Sequence, residues 1–161
     1  MQLIATKRGP TDKYDHLRCI RADGSETSTQ MPRQGILPHD LIHAVVETAL
    51  GLTDGFIGLV AKGAQIDFLS KSFHEYIDPV RYAQGAQAES TVESLQSQLW
   101  AGVFDESAFH YGVDAACAMR GVAAPDMVCD PRTAMFDRVV TLSAEWQMVP
   151  WHREWRMVFP F

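Results

Sequence analysis

A chain of 161 residues with 47% hydrophobic and 21% charged side chains has the make-up of one folded domain, which excludes a disordered or fibrous chain. Its net charge of -6, with Lys and Arg scattered and never in a run, opposes nucleic acid as a partner. No stretch approaches the roughly 18 apolar residues of a membrane span, the first residues lack the pattern of an export signal, and three widely spaced cysteines (Cys19, Cys117, Cys129) suit reduced thiols, so the expected location is the cytoplasm.

The first third reads as strands. Leu3 to Lys7 is a short strand, Gly9-Pro10-Thr11-Asp12 interrupts it, and Tyr14 to Arg21 alternates as a half-buried strand does. Asp23-Gly24 predicts a hairpin turn, because glycine accepts the positive φ that a tight turn requires. Glu26 to Gln30 is polar on both faces, which suits a sheet edge.

Beyond Gly35 the period becomes helical. Pro38 fits a first helical position, Asp40 sets a carboxylate at the positive end of the dipole, and Gly51 supplies a left-handed stop, which gives a helix over Pro38 to Leu50. A shorter helix follows from Gly55 to Lys62, with Asp54 as its cap and Gly63 as its stop. Ile66 to Leu69 fits a strand or the lead-in to a helix, and Asp78-Pro79 marks a turn.

Gln84 to Glu89 is small and polar and reads as a surface connection into Ser90-Thr91-Val92-Glu93. That capping-box spacing starts a helix with Leu95, Leu99, Trp100 and Val103 on one side. Another helix runs from about Ser107 to Arg120 and closes at Gly121. The last begins at Asp130-Pro131 and carries Val139, Leu142 and Trp146. In the final segment Trp155, Met157 and Phe159 alternate as on a strand. Strands at both ends of a helical middle give an α+β fold: a small antiparallel sheet, formed by the N-terminal hairpin and the C-terminal strand, covered on one face by four to five helices.

The residues able to do chemistry gather on the first helix. His39, His43 and Glu47 recur every four residues and so follow one edge of it, beside an apolar arc of Leu41, Ile42, Val45, Val46 and Ala49. Two imidazoles one turn apart reach a common divalent metal, zinc being the best match. The candidate ligands are therefore His39, His43 and Glu47, with Glu47 alternatively an orienting group, and the candidate catalytic residues are Asp40, as ligand or general base, and Glu47. Further ligands could come from His74 and Glu75, from His110, or from His16. The same residues also fit structural roles: Asp40 as a first-turn acid, and His43 with Glu47 as an i, i+4 polar pair.

His-Asp-Leu-Ile-His resembles the His-Glu-x-x-His motif of zincin metallopeptidases, with Asp40 in the glutamate's place. It is more similar to the His-Asp-x-x-His motif of the CoQ4 family of ubiquinone-biosynthesis proteins, which a downstream glutamate completes. Twelve residues after His43, where that family has glutamate, stands Gly55, with Asp54 one short. The helix also resembles that of short uncharacterised bacterial proteins bearing Leu-Pro-His-Asp-x-x-His-x-x-x-Glu, a likeness that implies no activity.

The leading reading is a metal-dependent hydrolase or lyase acting on a small molecule or peptide. A non-catalytic interaction protein or homodimer, in which this helix is structural, is the alternative. A third reading is an HD-type phosphohydrolase with His16 upstream, His39-Asp40 as the dyad, and Asp114 or Asp137 as the later aspartate. Cys117 reads as a small core residue, and the glycines at 51, 55, 58 and 63 are too loosely spaced for a phosphate loop.

Overall fold

The computed structural model describes residues 1–67 and 79–161. Four strands form one antiparallel sheet: β1 (Gln2–Thr6), β2 (Tyr14–Ile20), β3 (Glu26–Pro32) and β4 (Glu154–Val158), in the order β3-β2-β1-β4. The β2-β3 hairpin turns at Asp23-Gly24, where Gly24 has φ 84°. β3 lies at one edge, as its polar sequence predicts. β4 lies at the other, and its register against β1 sets Leu3 opposite Met157 and Ala5 opposite Trp155.

Alternation divides the sheet into two faces. Asp15, Leu17 and Cys19 of β2 are buried, while His16, Arg18 and Ile20 between them point to the other side. Ile4 is buried on that outer side too, flanked in register by Arg18 and Arg156, whose aliphatic stems suit the covering role. Asp15 is buried as a carboxylate because the Arg33 guanidinium grips both of its oxygens, at 2.7 and 3.1 Å, and the Arg8 amide donates to it at 2.8 Å.

The inner face carries the helices, of which the described residues contain five: α1 (His39–Leu50), α2 (Phe56–Ala61), α3 (Pro79–Ala101), α4 (Glu106–Met119) and α5 (Asp137–Met148). α1 lies in the middle of the core. Leu41, Ile42, Ala44, Val45 and Val46 are buried on it, and Gly51, at φ 67°, turns its amide back to close the helix. Asp105 caps α4 by accepting from the Ala108 amide, and Asp130 accepts from the Arg132 amide and the Thr133 hydroxyl at the start of the last helical segment. That segment opens with a π-helical turn over Arg132–Phe136 before continuing as α5. All three cysteines are free, two of them buried. No helix among the described residues is long and apolar enough to cross a membrane.

Expectations for two helices are corrected. Gly55 rather than Asp54 occupies the cap position of α2, with no side-chain hydrogen bond capping it, and Asp54 accepts from Lys62 at 2.6 Å. Gln84 to Glu89 is not a connection but part of α3, which runs unbroken from Pro79 to Ala101. The Ser90 and Thr91 hydroxyls do not cap a helix; they turn back onto the carbonyls of Ala86 and Gln87, one turn earlier in the same helix. Ala86, Ala88, Ser90 and Ser94 are buried, and such small side chains let α3 pack closely. Leu95 and Leu99 join the core as expected, whereas Trp100 and Val103 are exposed. Of the expected Ile66–Leu69 segment, Phe68 and Leu69 lie outside the described residues, as does Asp78 of the expected turn, and Pro79 opens α3.

Candidate metal centre

α1 and α3 face each other with His39 and His43 on one side and Gln96 and Glu89 on the other. His43 is almost fully buried, and its Nε2 lies 2.9 Å from Glu89 Oε2 and 3.2 Å from His39 Nε2. The triangle closes with His39 Nε2 3.6 Å from Glu89 Oε2. His39 and Glu89 are each about one-third exposed, at 34% and 37%, so the group reaches solvent through them while His43 anchors it from below.

Behind the His43 ring stands Glu47, fully buried. Its Oε1 accepts from the Ile57 amide at 3.0 Å and faces His43 Nδ1 at 3.3 Å, and its Oε2 accepts from the Gly58 amide at 2.9 Å. Two backbone amides at the start of α2 thus hold this carboxylate in the core. Gly55 makes room for it: a Cβ there would collide with the Glu47 carboxylate, at 2.6 Å from Oε2. Phe56 packs edge-on against the His43 ring, with centroids 5.3 Å apart.

The electrostatics follow from these contacts. Burial opposes charge on His43, but the hydrogen bonds to Glu47 and Glu89 outweigh it and push its pKa up to about 9. Glu89 is held well below the usual carboxylate range by the His39 and His43 side chains beside it. Burial raises the pKa of Asp40, which lies within electrostatic reach of His39, His43 and Glu89.

His39, His43 and Glu89 are the group able to hold a metal ion among the described residues, their donor atoms all within 4.8 Å of one another. Of the residues expected from sequence, His39 and His43 are brought together. Glu47 is not a third member: it sits on the opposite, Nδ1 side of His43, with both oxygens already taken by amides, and Glu89 fills the position at Nε2. Asp40 is half-buried beside the group without joining it. His110 is on α4 next to Glu106, at 3.9 Å, and is not part of the group. His74 and Glu75 lie outside the described residues. His16 is on the outer face of the sheet, away from the helices, and Asp114 and Asp137 are exposed on α4 and α5, so the constellation expected of an HD-type phosphohydrolase is not assembled.

Glu89 was hidden from sequence reasoning because it stands 46 residues beyond His43. The signal that could have found it is helical: Glu89 and Gln96 are seven apart, hence on one face of α3, and each meets one imidazole of α1.

Comparison of the chain with protein-family models, with curated proteins and with solved structures finds no match.

Proposed function

We propose that this protein binds one divalent metal ion, zinc being the best fit, through His39 Nε2, His43 Nε2 and the Glu89 carboxylate, and uses it for hydrolase-like or lyase-like chemistry. The supporting observation is the size of the triangle. Four donors at about 2.0–2.1 Å from a tetrahedral zinc stand about 3.3–3.4 Å from one another, and the three separations here are 2.9, 3.2 and 3.6 Å. Two imidazoles and one carboxylate are also the donor set of zinc sites that keep a fourth position for water or substrate.

Bound there, zinc supplies Lewis-acid polarisation of a substrate oxygen or of water. Glu89 contributes the anionic donor, and its one-third exposure puts the open side of the group toward solvent. Glu47 orients the His43 ring through Nδ1 and balances charge without competing for the ion. Asp40, beside the group and with its pKa raised by burial, is the candidate general base. The His-Asp-x-x-His resemblance accords with this reading.

A second reading is favoured by the 2.9 Å contact of His43 with Glu89. In it the protonated imidazole, clasped between Glu47 and Glu89, ties α1 to α3 and the protein acts only through its surfaces. Metal content separates the two. Untagged protein, stripped and reloaded with zinc, iron or manganese, is expected to retain near-stoichiometric metal that His43→Ala and Glu89→Ala both lose. Sub-stoichiometric metal after reloading with each ion would reject the metal reading in favour of the second.

A further inference from the structure

The contacts around His39 extend beyond the metal reading, on which the following rests. His39 Nδ1 lies 3.2 Å from Gln96 Oε1. Gln96 Nε2 in turn donates to Gln34 Oε1 at 3.1 Å, and Gln34 Nε2 donates to the Leu37 carbonyl at 2.9 Å. The Leu37 segment is itself pinned, its amide donating to the buried Ser143 hydroxyl at 2.9 Å.

An amide side chain can be turned either way, so its orientation follows from its partners. A backbone carbonyl only accepts, which obliges Gln34 to present its NH2 to Leu37 and its oxygen to Gln96. Gln96 must then give its NH2 to Gln34 and its oxygen to the ring. The only hydrogen-bonding partner left for His39 Nδ1 at that contact is an acceptor, so Nδ1 carries a proton, and in the neutral ring that binds a metal the lone pair is then on Nε2. We infer that the Leu37-Gln34-Gln96 relay fixes the tautomer of His39, making Gln34 and Gln96 positioning residues that aim its Nε2 lone pair at the metal.

Glu47 imposes the same polarity on His43, since a carboxylate also only accepts at Nδ1. The two imidazoles thus reach one tautomer by independent devices, a carboxylate held by α2 and an amide chain anchored ahead of α1. Once His43 gives up its Nε2 proton, which otherwise lies on the 2.9 Å contact with Glu89, two lone pairs and a carboxylate converge as three acceptor atoms, a set that suits a cation at its centre. Gln96 is only 6% exposed, so its orientation is not set by water.

The test compares zinc affinity, by competition with a chromophoric chelator, in the full-length wild type, Gln96→Leu, Gln96→Glu and Gln34→Leu. Gln96→Leu removes the acceptor and is expected to weaken zinc binding about 10- to 100-fold, the usual effect of losing such an outer contact. Gln96→Glu keeps an acceptor at Nδ1 and is expected to restore most of it. Gln34→Leu, near the surface and less disruptive to folding, frees the Gln96 amide to rotate and is expected to fall between. Affinities in Gln96→Leu and Gln34→Leu equal to that of the wild type would overturn the relay, as would failure of Gln96→Glu to improve on Gln96→Leu.

If the wild type takes up no zinc, the metal reading fails and the relay is judged alone. Long-range nitrogen-proton NMR on 15N-histidine-labelled protein is then recorded over a pH series and read where the His39 ring is neutral. A single Nδ1-H tautomer at His39 in the wild type, mixed in Gln34→Leu, supports it; the same tautomer in both overturns it.

Discussion

Gly55→Ala tests whether Glu47 is held in place as tightly as its contacts imply. The backbone of Gly55 is ordinary, φ -73° and ψ -171°, so alanine brings no conformational strain of its own. The added methyl nevertheless meets the Glu47 side chain at 2.6 Å from Oε2 and 2.8 Å from Cγ, and also overlaps Cδ. Glu47 is fully buried and cannot swing into water. Relief requires shifting the carboxylate off the Ile57 or Gly58 amide, or pushing α2 away. Overpacking of a tight core costs about 1–3 kcal/mol, and loosening a hydrogen bond to a buried charge costs about 1.5–3 kcal/mol. A loss of about 3 kcal/mol is expected, equivalent to about 6–12 °C in Tm for a chain of this size. Urea denaturation of metal-free protein measures it, and zinc affinity should fall together with stability because His43 loses its Nδ1 partner. Gly85→Ala is the control, since α3 leaves open space around that glycine; it should stabilise by about 0.5–1 kcal/mol. A Gly55→Ala protein within about 0.5 kcal/mol of wild type, the scatter of neutral surface changes, would refute the reasoning.

Other perturbations probe other contacts. In metal-free protein the raised His43 pKa means that the folded state binds its proton more tightly than the unfolded chain. The stabilisation is therefore complete below about pH 6.5 and lost as pH rises through about 9, about 3 kcal/mol in all; thermal melts from pH 5 to 10 should show the fall, and His43→Gln should flatten it. Zinc at about a thousand times its dissociation constant should add about 4 kcal/mol, read as a Tm rise that EDTA reverses and Glu89→Ala abolishes. Asp15→Ala leaves Arg33 without its buried partner and should cost about 3 kcal/mol in urea denaturation, without altering zinc affinity, since the pair lies away from the Nε2 triangle.

Most of the sheet and α1 were legible because local chemistry specifies them. Asp23-Gly24 demands its turn, Pro38 and Gly51 bracket the helix, and Trp155, Met157 and Phe159 alternate only as a strand would. α3 was read short for a physical reason as well. Alanine, glutamine and serine around residues 84–90 give a weak apolar stripe, and Ser90-x-x-Glu93 imitates a cap, yet the same small side chains are what a helix needs to pack closely. The two histidines follow from helical period alone. Glu89 could not, because the approach of α3 to α1 is a tertiary event. Glu47 was legible as a partner of His43 but not as to which side of the ring it takes, since that depends on the Ile57 and Gly58 amides, and they reach it only after the chain has turned at Gly51.

The strand order β3-β2-β1-β4 has a consequence for biosynthesis. β1, β2 and β3 leave the ribosome in succession and can zip together at once, but the other margin of β1 waits for residues 154–158, which emerge last of the sheet. At about 5–20 residues per second, a nascent chain spends several seconds with Leu3-Ile4-Ala5 open to pairing with its neighbours on the polysome. His39, His43 and Glu89 all emerge in that interval, so the ligand triangle can be assembled before the sheet is sealed. A chain cut after Val149 keeps every residue of the centre yet leaves that margin bare, and it should partition into inclusion bodies.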